Sequence, residues 1–275
     1  MYMKLRDGKS KVLTLSYDDG VVQDIRLIEI MNKHGLKGTF NINTGLYLQE
    51  EVERDKLWGY LKLSEAKELY TNSGNEVAVH GLTHQFMDRI RTEEVFHEIL
   101  EDRKNIEREY GIIARGMAYP YGVYNNELID CLKRCGIVYA RTTKSAEDFE
   151  FPNDWLQLHP TCHHKNDKLM DLAKHFVEDQ IKYEAQNWMF YLWGHSFEFD
   201  IDNNWNVIEE FAQYVGGRDD IWYATNIEIY DYIMAYNNLI VNVEQTRIYN
   251  PSVIDVWFVK DGQTYCVGGG KTLIL

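Results

Sequence analysis

The sequence predicts an α/β fold: a distorted (β/α) barrel of seven or eight strands followed by a small C-terminal β appendage. Strand-like and helix-like segments alternate about seven or eight times, which is typical of parallel strands joined by helices. No glycine-rich phosphate-binding motif follows the first strand-like run, which disfavours an open nucleotide-binding sheet. From residue 241 the pattern changes to short strand-like runs. We therefore expect a barrel over residues 1–240 and a β-hairpin appendage, packed on it, over residues 241–275.

The first half of the chain predicts the first strands and helices of the barrel. The apolar run at 12–15 predicts a strand. The segment at 24–33 predicts a helix, because apolar residues recur on one face and Gly35 follows as a C-cap. Ser64 is placed to cap the next helix. The other elements predicted in this half are strands at 39–43, 75–79 and 117–119 and helices at 65–71, 92–110 and 127–134.

The second half continues this alternation and then predicts the appendage. Its predicted strands are 137–141, 188–193 and 221–224, and its predicted helices are 167–183 and 207–215. Thr225-Asn226-Ile227-Glu228 is a capping box, which predicts a last helix running toward residue 238. The runs at 254–260 and 263–267 flank Asp261-Gly262, a dipeptide typical of hairpin turns. These two runs therefore predict the hairpin of the appendage.

The overall charge restricts the class of partner. The chain has 29 Lys and Arg residues against 43 Asp and Glu residues, which gives a net charge of −14. A surface this acidic disfavours nucleic acid and anionic membranes as partners. The sequence contains no apolar window long enough to span a bilayer. It leaves the oligomeric state open.

The cysteines and the N-terminus indicate the cellular compartment. The four cysteines form no C-x-x-C pair, which favours reduced, buried thiols in a reducing compartment. Residues 1–10 are polar and lack the apolar segment of a signal peptide. We therefore expect a cytoplasmic protein, with a secreted protein whose leader has been removed as the alternative.

Polar side chains follow several predicted strands, at the edge where a β/α barrel gathers its catalytic groups. Asp18 and Asp19 end the first strand, His80 ends the third, and His195 ends a later one. His84 lies four residues beyond His80, and two histidines with one carboxylate are a ligand set for a divalent metal. Neighbouring side chains of a strand point to opposite faces, so one Asp can bind a metal while the other accepts a proton. A solvated acidic turn is the alternative interpretation of the two aspartates.

Four motifs in this order resemble the NodB-type polysaccharide deacetylases, which form carbohydrate esterase family four. The resemblance covers about residues 10–235. The first two motifs together are specific, whereas the last two would be weak alone. The motifs are Ser16-Tyr17-Asp18-Asp19-Gly20, His80-Gly81-Leu82-Thr83-His84, Tyr119-Pro120-Tyr121-Gly122 and Leu192-Trp193-Gly194-His195.

The resemblance implies roles for six of these residues. They are Asp18 as the catalytic base, Asp19, His80 and His84 as metal ligands, His195 as the catalytic acid, and the Tyr121 backbone N–H as an oxyanion donor. It also implies one divalent cofactor, for which we expect Zn²⁺, with Co²⁺, Ni²⁺ and Fe²⁺ as alternatives. The implied partner is an N-acetylated carbohydrate substrate.

The sequence departs from the family pattern at two positions close to the proposed chemistry. Gly81 stands where the family has Ser or Thr, a residue whose hydrogen bond steadies the loop. Ala118 stands where the family has the arginine that orients the base. We predict that Arg141, at the end of the next strand, supplies this guanidinium, and a surface ion pair is the alternative.

Two further stretches leave alternatives open. The family's Asp-x-x-Asp-Trp survives only in part, with Phe151 at the first position, so Trp155 either walls the acetyl pocket or belongs to the core. The histidines at 159, 163 and 164 could form a second metal site together with Cys162, but the spacing of these residues matches no known pattern. The alternative is that one of them lines the cleft while the others are loop residues.

The sequence therefore predicts a metal-dependent hydrolase that removes N-acetyl groups from an N-acetylated sugar or polysaccharide. In the proposed chemistry, a metal-activated water attacks while an aspartate accepts a proton and a histidine donates one. A first alternative keeps the site but hydrolyses another non-peptide C–N bond, in a cyclic or small amide. A second alternative is a catalytically inactive relative that binds carbohydrate.

Overall fold

The computed structural model describes residues 1–53 and 59–275 of the chain. The described strands are β1 (Tyr2–Lys4), β2 (Lys11–Asp19), β3 (Gly38–Ile42), β4 (Glu76–Val79), β5 (Gly116–Ala118), β6 (Tyr139–Arg141), β7 (Cys162–His163), β8 (Trp188–Gly194), β9 (Ile221–Tyr223), β10 (Ile240–Val241), β11 (Arg247–Tyr249), β12 (Val256–Lys260), β13 (Gln263–Val267) and β14 (Thr272–Ile274). The described helices are α1 (Asp24–Lys33), α2 (Leu63–Thr71), α3 (Thr92–Tyr110), α4 (Asn126–Arg134), α5 (Leu169–Glu178), α6 (Glu198–Ile201), α7 (Asn206–Val215) and α8 (Asn226–Asn237).

A parallel sheet in the order β6-β5-β4-β3-β2-β8-β7 forms the centre of the molecule. The longest strand, β2, pairs with β8 along one edge. Its other edge is shared, because β9 pairs with residues 11–13 and β3 pairs with residues 15–19. Residues 11–18 of β2 are buried, as expected for a strand covered on both faces. The predicted fold class, a distorted β/α barrel, is confirmed.

The segment between β6 and β8 continues the curl of the sheet. Leu158 makes a parallel bridge to Arg141 at the end of β6, and a few residues later β7 pairs with β8. One short stretch of chain therefore contacts both edge regions of the curled sheet. All strands of this sheet run in parallel, so their carboxyl ends, and the side chains that follow them, meet at one mouth.

Most predicted helices lie at the predicted positions, but some of them begin or end at other residues. α1 and α3 have the predicted bounds, and Thr225 caps α8 in the predicted capping box. Ser64 is not a cap, because α2 begins one residue before it and the Glu65 side chain accepts a hydrogen bond from the Lys62 backbone N–H. α5 ends at Glu178, five residues earlier than predicted, where the chain turns to extended geometry.

The appendage is larger than a hairpin. β12 and β13 form the predicted hairpin around Asp261-Gly262, and β1 adds a third antiparallel strand from the other end of the chain. β10, β11 and β14 form a second three-stranded sheet. Buried side chains from both sheets and from the end of α8 share a small core: Ala235, Ile248, Val256, Phe258 and Val267. The division of the chain at residue 240 stays a prediction.

The sequence also predicted reduced, buried cysteines and no apolar segment long enough to span a membrane. All four cysteines are free, three of them buried and Cys266 exposed. Across residues 1–53 and 59–275, no helix has the length and apolar character needed to cross a membrane.

Candidate active site

The two aspartates at the end of β2 lie in different environments because the backbone turns between them. Asp18 is buried, with 2% of its surface exposed, whereas Asp19 is half-buried. Asp19 has φ +82° and Gly20 has φ +70°, so the chain leaves the strand through two left-handed residues. This turn separates the two carboxylates, as the division of roles between them requires.

Asp19, His80 and His84 bring one ligand atom each to within 4.8 Å of one another. Asp19 Oδ1 lies 3.6 Å from His80 Nε2 and 3.7 Å from His84 Nε2. The three residues follow β2 and β4, whose carboxyl ends share the mouth of the barrel. The structure therefore brings together the three side chains that the sequence predicted as metal ligands.

The chemistry of these donors fits a divalent ion. His80 Nδ1 lies 2.8 Å from the Ala118 carbonyl oxygen, so Nδ1 carries the proton and the Nε2 lone pair faces Asp19. Burial and the neighbouring His80 lower the pKa of His84 to about 4, so this imidazole is neutral at ordinary pH. Neutral imidazoles and a carboxylate are the forms that bind zinc and related ions.

The loop that holds both histidines is anchored by two carboxylates of α3. Asp102 accepts a hydrogen bond from the His80 backbone N–H at 3.1 Å. Glu98 accepts two hydrogen bonds from Thr83, one from its backbone N–H at 2.8 Å and one from its hydroxyl at 2.7 Å. Both carboxylates are buried. These bonds supply the support that the family obtains from a Ser or Thr after the first histidine.

The packing around Gly81 explains why this position has no side chain. Its φ is +79°, a left-handed conformation that side chains disfavour. A Cβ atom here would also lie 2.6 Å from Met87 Cε, well inside van der Waals contact. A Ser or Thr at this position would therefore strain the backbone and require the Met87 side chain to shift.

Asp18 forms a buried ion pair with Arg141, as predicted. Arg141 Nη2 donates to Asp18 Oδ2, Asn41 Nδ2 donates to Asp18 Oδ1 at 2.9 Å, and the guanidinium lies 4.3 Å from the ring centroid of Trp193. Arg141 is only 1% exposed, so the surface ion pair is excluded. Burial alone would raise the pKa of Asp18, but Arg141, His80 and His195 hold it below its ordinary value. Asp18 is therefore an ionised carboxylate.

His195 lies on the other side of Asp18. Its Nε2 is 3.9 Å from Asp18 Oδ2, and its Nδ1 is 3.3 Å from Glu198 Oε2. Burial lowers the pKa of His195, but the hydrogen bond to Glu198 and the charge of Asp18 raise it, and the net shift is upward. The raised pKa favours the protonated imidazole, which is the form that an acid needs.

Tyr121 lies beside the three candidate metal ligands. Its ring contacts His84 edge-on, with ring centroids 4.4 Å apart, and stacks on Phe86 with centroids 3.6 Å apart. Its backbone is left-handed, with φ +57°. Eight non-glycine residues of the described ranges have positive φ, and Asp19, His84 and Tyr121 are three of them. Backbone strain of this kind tends to cluster at functional sites.

Trp155 is half-buried and packs against the apolar core beside α8. Its ring packs edge-on against Tyr230 of α8, with centroids 5.3 Å apart. It joins an apolar cluster that includes Tyr139 at the start of β6 and Leu158. This packing agrees with the core alternative, and a place for Trp155 in the wall of an acetyl pocket stays a prediction.

Sequence reasoning missed the link between His195 and Glu198. Glu198 Oε2 also lies 3.1 Å from His163 Nε2 and 3.3 Å from His164 Nε2, so three imidazoles surround one carboxylate oxygen. The sequence feature that could have revealed this contact is the acidic residue Glu198, which starts α6 three positions after His195. His159 is held elsewhere, with its Nδ1 2.6 Å from the Thr142 hydroxyl.

A protein-family model described as polysaccharide deacetylase matches residues 6–140. The peptidoglycan-N-acetylglucosamine deacetylase PgdA of Listeria monocytogenes is 23% identical over 146 residues, which are 52% of this chain and 28% of that protein. The chain therefore spans about a quarter of the length of this curated relative.

Solved structures share the fold. A candidate polysaccharide deacetylase from Mycobacterium smegmatis superposes with a TM-score of 0.56 and 14% identity, covering 86% of this chain and 95% of that one. A family 4 acetyl xylan esterase from Clostridium thermocellum, solved with a cobalt ion, gives a TM-score of 0.50 and 15% identity. That match covers 80% of this chain and 91% of the esterase.

Proposed function

We propose that the chain is a member of the polysaccharide deacetylase family, whose model matches residues 6–140, and that it is a metal-dependent hydrolase of N-acetyl groups on a sugar or polysaccharide. The observation that supports the proposal most directly is the convergence of two groups of side chains. The candidate ligands Asp19, His80 and His84 adjoin Asp18, and Asp18 in turn lies between Arg141 and His195. This arrangement combines a metal set, a base and an acid.

A divalent ion held by Asp19, His80 and His84 would polarise the amide carbonyl and lower the pKa of a water molecule. Around it the chain itself provides fixed partners. Arg141 and Asn41 hold the Asp18 carboxylate through separate oxygens. The rigid pairing leaves Asp18 ionised and oriented before a substrate arrives.

The proton transfers follow from the positions of Asp18 and His195. Asp18 accepts a proton from the attacking water, whose oxygen forms the new bond to the acetyl carbonyl carbon. The Tyr121 backbone N–H donates to the oxyanion that develops on the carbonyl oxygen. His195 donates its Nε2 proton to the amide nitrogen as the C–N bond breaks, which releases the free amine and acetate.

The first experiment measures metal content and acetate release together. We expect the wild-type protein to bind about one zinc or cobalt ion and to release acetate from a short N-acetylglucosamine oligomer. Asp18→Asn should keep the metal and lose acetate release, whereas His80→Ala should lose both. His97→Ala removes an exposed histidine of α3 and serves as the matched control. A chelator should abolish turnover and added metal should restore it.

The same measurement separates the alternatives. Metal binding without acetate release would reject the sugar amide as substrate, and cyclic and small amides would then be assayed. Tight binding of the oligomer with no hydrolysis of any amide would identify an inactive carbohydrate-binding relative. A wild-type protein that binds no divalent metal would overturn the proposed function itself.

A further inference from the structure

Glu198 occupies the centre of a polar network behind the candidate acid. Its Oε2 accepts a hydrogen bond from the His195 backbone N–H at 3.2 Å and lies 3.3 Å from His195 Nδ1. Its Oε1 lies 3.1 Å from Lys165 Nζ. With His163 and His164 on the same Oε2, we call these five residues the Glu198 network.

The network determines which ring nitrogen of His195 carries a proton in the neutral form. A carboxylate accepts hydrogen bonds and does not donate them, so Nδ1 must carry a hydrogen in order to bond Glu198. The proton that His195 exchanges is then the one on Nε2, which faces Asp18. The same logic applies to a catalytic histidine that is held by a buried aspartate.

We propose that Glu198 is a positioning residue for His195, which it holds in the Nδ1–H tautomer, and that His163 in turn holds the Glu198 carboxylate. This inference rests on the proposed function for its kinetic consequences. Its structural content, the tautomer of His195, does not depend on which substrate the enzyme uses.

The tautomer of His163 supports this role. The Lys165 backbone N–H donates to His163 Nδ1 at 3.1 Å, so in the neutral ring Nε2 carries the hydrogen. His163 Nε2–H therefore donates to Glu198, 3.1 Å away. The opposite arrangement occurs at His80, where Nδ1 donates to a carbonyl and Nε2 is free for a metal. The neutral His163 ring therefore presents an N–H group to Glu198, and not the free nitrogen lone pair that a metal ion needs.

Packing fixes the ring of His164. The ring contacts those of Tyr17 and Phe199, with centroid distances of 5.8 Å and 4.2 Å. A Cβ atom on Gly194 would lie 2.0 Å from His164 Nδ1, so only glycine fits at the end of β8. Burial and the adjacent His163 lower the pKa of His164 to about 3, which keeps this ring neutral. A neutral ring places no second positive charge beside His195.

Several charged and titratable groups act on His195 in addition to Glu198. They are Asp18 and Asp19 at the end of β2, His84 after β4, and His163 and His164 in and after β7. The carboxylates favour the protonated ring, whereas the neutral rings of His84 and His164 add no positive charge. The test therefore compares variants in which all of these groups are retained and only Glu198 changes.

The test uses the metal-loaded full chain with Glu198→Gln and, as matched control, Asp202→Asn. Asp202 accepts the other hydrogen bond of Lys165 Nζ, at 2.7 Å, and belongs to the same surface. ¹⁵N NMR of the histidine rings reports the tautomer directly. We expect neutral His195 to carry hydrogen on Nδ1 in wild type and Asp202→Asn, and to populate the Nε2–H form in Glu198→Gln.

The kinetic expectation is a fall in kcat of about 100-fold for Glu198→Gln with KM little changed, because the acid step is affected and substrate binding is not. Loss of the carboxylate should also lower the pKa of His195, so the alkaline limb of the rate profile should move to lower pH. Glu198→Asp, one methylene shorter, should recover part of kcat if the variant is folded and the carboxylate reaches Nδ1.

An unchanged His195 tautomer in Glu198→Gln would overturn the inference, whatever the rates. So would a second bound metal in wild type that is lost in His163→Ala, because the network would then be a metal site. If no variant, wild type included, releases acetate, the proposed function fails while the NMR comparison still decides the role of Glu198.

Discussion

At the scale of single residues, the buried pair of Asp18 and Arg141 connects two distant parts of the chain. The pair crosses from β2 to β6, and both side chains are almost fully buried. Buried charges without a partner are strongly destabilising, so each side chain depends on the other. Ala118 occupies the position where the family resemblance implies an arginine, and Arg141, at the end of the next strand, pairs with Asp18.

We expect Arg141→Lys to lower kcat about 100-fold while the protein keeps its metal, because lysine retains the charge but cannot hold the carboxylate in a fixed orientation. Arg115→Lys is the matched control, since Arg115 pairs with Asp231 at 2.5 Å on a partly exposed surface. Steady-state kinetics and metal analysis check both variants. Equal kcat values for Arg141→Lys and Arg115→Lys would contradict an orienting role.

Gly81 leads to a prediction about stability. Gly81→Ser restores the family residue, but it should lower the free energy of unfolding by about 1–3 kcal/mol, because the new side chain meets Met87 on a left-handed backbone. Urea unfolding measures the change. Adding Met87→Ala should recover only the part that is due to the clash. A Gly81→Ser protein as stable as wild type would show that the loop adapts.

At the scale of elements, α3 supports the loop that carries the candidate metal ligands His80 and His84. Two of its buried carboxylates, Glu98 and Asp102, face the same loop four residues apart, one helical turn. Glu98 holds the middle of the loop and Asp102 holds its first residue. The candidate ligands are thus attached to a helix of 19 residues rather than to a free loop.

Glu98→Gln should weaken metal binding about 10- to 100-fold, because the amide group of glutamine cannot accept both hydrogen bonds from Thr83. Glu101→Gln changes an exposed side of the same helix, where Glu101 pairs with Lys104, and should leave metal affinity unchanged. Competition with a coloured chelator gives both dissociation constants. Equal affinities in the two variants would mean that the loop holds its shape without Glu98.

At the scale of the whole molecule, both ends of the chain meet in the appendage. β1 pairs with β12, so the N-terminal residues are fixed by the C-terminal sheets. The helices belong to the first 240 residues, whereas the described residues beyond them form strands and turns. The helical circular dichroism signal therefore reports the barrel alone, which makes coupling between barrel and appendage measurable.

We expect Phe258→Ala to lower the free energy of unfolding by about 3–5 kcal/mol, because Phe258 is fully buried in the small core of the appendage. If barrel and appendage unfold as one unit, the helical signal should shift to the same lower urea concentration as tryptophan fluorescence. Ile113→Ala, at a 74% exposed position, is the control and should change stability little. An unshifted helical transition would show that the appendage unfolds independently.

Much of this architecture could be predicted from local sequence patterns. The alternation of strands and helices, the capping box at Thr225 and the hairpin at Asp261-Gly262 are local signals, and the structure confirms all three. The short strand β7 was missed because a strand of two residues, Cys162–His163, has no periodicity. The pairing of β1 with the hairpin was missed because it joins residues more than 250 positions apart, such as Tyr2 and Val259.

The candidate site could be predicted where motifs are contiguous and not where partners are distant in the chain. Asp18-Asp19 and the two histidines of the loop after β4 were found from their spacing. Glu98 and Asp102 were not, because a helix with many acidic residues gives no sign of which ones turn inward. The contact of Glu198 with His195 could not be predicted either, since it depends on how α6 turns back toward His195.

The left-handed backbone conformations of Asp19, His84 and Tyr121 have a consequence for the evolution of this protein. Each costs about 1–3 kcal/mol relative to a relaxed residue, and glycine or asparagine would relieve much of it. Replacing Asp19 or His84 by glycine can therefore raise the free energy of unfolding while it removes a candidate metal ligand. A selection for heat resistance alone should enrich variants that lack the candidate ligand at Asp19 or His84, and only continued demand for turnover keeps these two residues in place.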